Sequence, residues 1–178
     1  NLIYRSRTLL RDLYGNEDAQ FIRFSRGTYF WNNEYPCTVD TEELEKAWKT
    51  ACRRELPSEE QIAGYKRVIE LYRGEFLPKS AYRSWVVSMG VRYTTLFTES
   101  VLRVSDLLTE RNRHLEIIEI CEKALNFVPL EESIHKTLLY AYASAGQRSK
   151  ALEHYNYATN LFYREMGVDL SGTLQALY

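Results

Sequence analysis

Cysteine is scarce and odd in number: Cys37, Cys52 and Cys121 stand far apart in a chain of 178 residues. That pattern excludes a disulfide framework and makes the thiols packing residues in a reducing compartment. Histidine is equally sparse. His114, His135 and His154 have no HxxxH or CxxC companions, so neither a metal site nor a histidine-based catalytic pair is expected. Eight glycines are scattered at element ends and form no phosphate-cradling loop. With no nucleophile beside a base and no paired carboxylates, the expectation is a non-enzyme without a cofactor. No apolar run approaches the roughly 20 residues that cross a bilayer, and no signal-peptide pattern opens the chain. A cytoplasmic location with no membrane partner follows as the default. Net charge is only −1, so any contact with nucleic acid must come from a local basic patch. The chain opens at Asn1, already inside helical periodicity, and reads as a piece of something longer.

What the chain does have is helical periodicity and a doubled stretch. Leu108, Ile117, Cys121, Ala124 and Leu125 align with Tyr142, Ala151, Tyr155, Ala158 and Thr159 at a constant offset of 34 residues. That is the period of a tetratricopeptide helix pair. Ala124 and Ala158 fall where two helices must approach closely. Two copies are fewer than the three or so that stand alone, so other helices must complete the stack. Fourteen tyrosines read as ring-inward, hydroxyl-outward helix residues.

In chain order, Leu2, Ser6, Leu9 and Leu13 share one side of a helix ending near Gly15, with Tyr4, Thr8 and Arg11 opposite. Phe21 to Phe24 and Thr28 to Trp31 flank Ser25-Arg26-Gly27 and predict a β-hairpin, the only good strand signal. Pro36 suits a linker. Asp40 three residues before Glu43, and Ser58 three before Gln61, have the spacing of helix starts, and they open helices bearing Leu44, Trp48, Ile62, Tyr65 and Ile69. Trp85, Met89, Tyr93, Leu96, Phe97, Val101, Val104 and Leu108 then keep helical spacing through the longest helix. Gly90 interrupts it. Three more helices are predicted over 115–127, 131–145 and 148–166, and Ser171 caps a last short one. Residues 39–178 thus read as about seven antiparallel helices stacked in hairpins.

Charge singles out the start. Residues 1–31 carry five arginines against Asp12, Glu17 and Asp18. An amphipathic helix followed by a basic, aromatic hairpin is how a winged helix-turn-helix ends, with the helix in the major groove and the hairpin along phosphate or minor groove. Tyr4, Arg5, Thr8 and Arg11 supply the outward helix face that can reach guanine edges or phosphates, and Arg23 and Arg26 supply the wing. The plainer alternative is a solvated amphipathic helix packed on its neighbour.

Four further segments carry a family resemblance. Tyr72-Arg73-Gly74-Glu75-Phe76-Leu77-Pro78 with Trp85, Val128-Pro129-Leu130-Glu131 through His135, Ala141-Tyr142-Ala143 through Arg148 with Ala151, Leu152 and Tyr155, and Glu165-Met166-Gly167-Val168 stand in order. Together they resemble the bacterial transcriptional activator domain, the tetratricopeptide-like module of SARP-type regulators. Val128 and Leu170 stand where that family often has aspartate and proline. The resemblance implies an all-α fold of tetratricopeptide-like antiparallel helix hairpins in a right-handed stack over 39–178. It also implies that residues 1–33 are the C-terminal part of an OmpR-type winged helix, recognition helix and wing. By the same resemblance the parent would be a transcriptional activator that binds DNA through the intact winged helix. Its helical module would bind RNA polymerase, another protein or a second copy. The rival is a tetratricopeptide adaptor that binds a peptide and never touches DNA; for it, His135, Lys136 and Tyr142 are the candidate partner-binding residues.

Overall fold

The computed structural model describes residues 2–167. The chain divides into two compact units, Asn1–Val39 and Asp40–Tyr178. The first holds helix α1 (Leu2–Tyr14) and an antiparallel hairpin of β1 (Ile22–Ser25) and β2 (Thr28–Trp31). Its register pairs Ile22 with Trp31, Arg23 with Phe30, Phe24 with Tyr29 and Ser25 with Thr28. Phe21 is the anchor, 1% exposed, with the rings of Tyr14, Trp31 and Tyr35 at 4.8, 5.8 and 4.4 Å. Asn32 N–H closes the strand end on Phe21 O at 2.7 Å.

Helix α1 is rotated from the face its apolar residues predict. Leu2, Leu9 and Leu13 are exposed, while Ile3, Arg7, Leu10 and Arg11 are the partly buried positions. The reason lies in the backbone that the helix meets. Carbonyl oxygens at Ala19 and Ile22 need donors, and arginines meet that need: Arg7 Nη2 donates to Ile22 O at 2.8 Å and Arg11 Nε to Ala19 O at 3.2 Å. An apolar arc without a second layer to cover it does not decide the orientation of so small a unit.

The second unit contains, among the described residues, α2 (Asp40–Ala51), α3 (Ser58–Leu71), a 3-10 turn at Pro78–Ser80, α4 (Ser84–Thr109), α5 (His114–Leu125), α6 (Glu132–Ser144) and α7 (Arg148–Met166). Each helix packs on its sequence neighbour, and α4 also touches α2 and α6, giving the antiparallel hairpin stack. The short helix expected from Ser171 lies outside the described residues. One continuous core runs from Leu44 and Ala51 through Val68, Phe97, Val101 and Leu108 to Cys121, Ala124, Ile134 and Leu138. Ala124 and Ala158 are fully buried, as the repeat alignment requires.

Three local readings change. Ser58 does not cap α3; Pro57 takes the cap position, and the Gln61 amide donates back to Leu56 O at 2.9 Å. Trp85 is 53% exposed, packing edge-on against Phe76, while Val86 beside it is buried. Gly90 marks no break in α4, whereas Gly64 is needed: a Cβ there would lie 2.8 Å from Ala51 Cβ, so α2 and α3 touch backbone to methyl.

Candidate functional site

The basic surface of the first unit is built on the α1 and hairpin frame. Tyr4, Arg5 and Thr8 are exposed on α1, and the Thr8 hydroxyl donates to Tyr4 O at 3.1 Å. Arg11 does not share that surface. Its Nε donates inward to the Ala19 carbonyl at 3.2 Å, and the residue is half-buried. Arg23 is ion-paired to Glu34 at 2.9 Å; the Asn32 amide first and this pair second hold the Glu34 carboxyl below its usual range.

Arg26 is the most informative of the set. The hairpin loop is two residues long, and both have positive φ, Arg26 at 50° and Gly27 at 81°. That is the pattern of a type I′ turn, where asparagine or glycine is the unstrained choice at the first position. An arginine in the left-handed region costs about 1 kcal/mol or more. The chain tolerates that strain and so places an exposed arginine at the hairpin tip. Beside it the exposed rings of Phe24 and Tyr29 pack at 4.7 Å across the strands. Sequence reasoning placed Arg26 on the wing but missed both its strain and Arg7's anchoring role. The two-residue spacing of Arg26-Gly27 between strands was the available signal for the first.

The second candidate set is not a surface. His135 is fully buried, and its two ring nitrogens are engaged: Nε2 lies 2.8 Å from Pro129 O and Nδ1 lies 3.0 Å from His154 Nε2. Burial lowers the pKa of His135. For His154, burial and then its proximity to His135 push the value down to about 4. Tyr142 is buried too; its hydroxyl donates to the Glu122 carboxylate and Lys150 Nζ lies 5.9 Å from its ring centroid. Neither ring is available to a peptide, which corrects the expectation for His135 and Tyr142. The physical reason is that the first helix of this pair turns these residues toward α5 and α7. Lys136 is half-buried.

Other concavities are modest. A polar cleft of about 450 Å³ is lined by Cys52, Arg54, Gln61, Tyr65, Arg103 and Asp106, among others. Within it Tyr65 OH donates toward Cys52 Sγ at 3.7 Å, and burial pushes the phenol up to about 12. A smaller one of about 250 Å³ lies between α4, α5 and α6, with Ser105, Asp106, Thr137 and Tyr140 on its wall. Among the described residues no group of three or more His, Cys, Asp or Glu is placed to hold a metal ion, and no helix is long and apolar enough to cross a membrane.

The class of protein this defines is a helix-hairpin stack preceded by a small helix-and-hairpin unit. The family model of the bacterial transcriptional activator domain matches residues 39–178, and the chain belongs to that family. Among solved structures it is similar to Mycobacterium tuberculosis EmbR, solved in complex with a low affinity phosphopeptide. The TM-score is 0.60 at 18% identity, and the match covers 98% of this chain and 47% of that one, so the chain spans about half the length of the structure it resembles. No curated protein matches.

Proposed function

We propose that the chain is the junction of a DNA-binding transcriptional activator, with residues 1–33 forming the recognition helix and wing of a winged helix and residues 39–178 forming its protein-binding module. The observation that carries this reading is Arg26, an exposed arginine in a strained two-residue turn at the hairpin tip, in the same unit as the exposed α1 residues Tyr4, Arg5 and Thr8. A wing needs a cation at its tip to sit on phosphate, and a recognition helix needs donors that reach base edges. Arg5, Arg23 and Arg26 position the duplex; Tyr4 and Thr8 are the side chains that read it. The helical module then offers its surface to RNA polymerase, another protein or a second copy, in the cytoplasm, and sets the spacing of paired half-sites.

The test uses the full-length parent with its own promoter DNA. Arg26→Ala should weaken binding similarly across sequences and lower the salt slope by about 1, as loss of one phosphate contact does. Arg26→Gly should do the same while relieving the turn. Tyr4→Ala and Thr8→Ala should instead change which sequences are preferred. A parent protein that binds no promoter fragment, and whose deletion leaves expression unchanged, would overturn the reading in favour of a peptide-binding adaptor.

A further inference from the structure

The His135 and His154 pair has a hydrogen-bonding geometry that admits one arrangement when both rings are neutral. A carbonyl oxygen only accepts, so His135 Nε2 carries its proton toward Pro129 O, its Nδ1 is left as an acceptor, and His154 Nε2 must donate to it. The rings lie nearly parallel with centroids 5.0 Å apart, and Phe162 closes the site edge-on at 5.6 Å from His135. α7 packs on α6 through Leu139, Ala158 and Phe162 with Ala151 and Tyr155, and Ala151 also lies against the long core of α2 to α6. Between the two helices lies a tight turn whose Gly146 has φ 74°.

We propose that this histidine pair is an acid-released latch: it holds α7 on α6 while the rings are neutral and lets α7 come away about the Ala145–Gly146–Gln147 turn when they are protonated. One added proton fits the geometry, on the outer nitrogen of His154, at the cost of a charge in a half-buried place. Two protons do not fit. His135 Nδ1–H and His154 Nε2–H would then point at each other across 3.0 Å, with like charges on both rings.

The charged and titratable groups around the pair come from four helices. α5 brings Glu122 and Cys121, α6 brings Glu131, Glu132 and Tyr142, and α7 brings Lys150, Glu153 and Tyr157. From α4 the group facing α6 is Asp106, at the cavity under Tyr140. Glu131, Glu132 and Glu122 favour the protonated rings, but burial outweighs them, and the folded values of both histidines fall below the ordinary 6.5. The undocked helix therefore takes up protons first as pH falls below 6.5, and docking weakens from there down to about 4, where His154 titrates in place. Each proton taken up contributes up to about tenfold per pH unit to the opening equilibrium.

Amide hydrogen exchange of the whole chain, corrected for the intrinsic rate, tests this between about pH 7.5 and 5. Residues 148–166 should lose about tenfold or more in protection while α3 and α4 keep theirs. His154→Gln retains an N–H donor for His135 Nδ1 and removes one of the two titrating rings, so its α7 should lose clearly less protection than the wild type between the two pH values, only the part that His135 contributes. A wild type with pH-independent α7 protection, or a variant with the wild-type loss, overturns the latch. Should the variant leave α7 unprotected even at neutral pH, ring titration of the wild type by NMR decides. Rings that stay neutral until α7 opens support the proposal, and rings that protonate near 6.5 with α7 still protected overturn it.

Discussion

Two seams of the helical unit use the same hairpin geometry and different chemistry to close it. Where α3 meets the α4–α5 turn, the apolar core is continuous and the rim is charged. Lys66 reaches Glu116 at 2.6 Å, and Arg113 holds Glu116 at 2.6 Å and both oxygens of Glu59 at 3.0 and 3.1 Å. Where α6 meets α7 the apolar cluster is small and the polar contact is the part-buried pair of His135 and His154. The first seam gains most of its stability from area removed from water, and its partly exposed ion pairs add little. The second has less area to draw on and depends on hydrogen bonds that hold only in one protonation state. Periodicity alone does not reveal how firmly each repeat is held.

The largest expected effect separates the two seams by truncation. Phe97→Ala, in the long core and fully buried, should cost about 3–5 kcal/mol and lower the denaturation midpoint of the whole unit. Phe162→Ala should loosen α7 and leave the rest, so that hydrogen exchange rises in 148–166 without a matching fall in the unit's midpoint. Equal, global losses from both would show the seams to be one cooperative body. Next comes Gly64→Ala at the α2–α3 contact, where the 2.8 Å approach to Ala51 Cβ gives no room for a methyl. Overpacking of about 1–3 kcal/mol should outweigh the roughly 1 kcal/mol that alanine gains over glycine in a helix, so chemical denaturation should show net loss.

How much of this was legible beforehand follows from what each feature rests on. The order of helices α2 to α7, the hairpin and the burial of Ala124 and Ala158 depend on spacing along the chain, and spacing is what a sequence displays. His135 and His154 stood in the sequence as isolated histidines on successive helices. Their burial was not legible, because which face of α6 turns inward depends on where α5 and α7 lie. The same limit explains α1: its apolar arc named Leu2, Leu9 and Leu13, but the carbonyls of Ala19 and Ile22 select Arg7 and Arg11. Arg26 looked like one more wing cation until the backbone showed the turn it occupies.

Smaller effects sharpen the contrast further. Tyr142→Phe removes one donor from Glu122 and should cost about 1–2 kcal/mol, read as a lower melting temperature at neutral pH, with little dependence on salt because the donor is a neutral hydroxyl. Glu116→Gln should have the smallest effect, and salt should erase it. Contacts to Arg113 first and Lys66 second lower the Glu116 pKa below the ordinary 4.5, so its contribution is present above that pH and is lost as pH falls through the folded value. Thermal melts in low and in about 1 M salt, where the Debye length shrinks to roughly 3 Å, should differ for the wild type and converge for the variant. A variant effect that persists in high salt would move this seam into the class of its buried counterpart.

The contact of Gly64 with Ala51 also bears on the shape that a stack of this kind can take. In a helical solenoid the distance between paired axes at each step governs how sharply the next pair turns, and here that distance is set by the absence of a side chain. Enlarging position 64 would therefore push the first hairpin open like a wedge and change the bend of everything threaded after it. A single hydrogen atom in place of a methyl acts as the shim that sets the curvature of the surface a partner would meet.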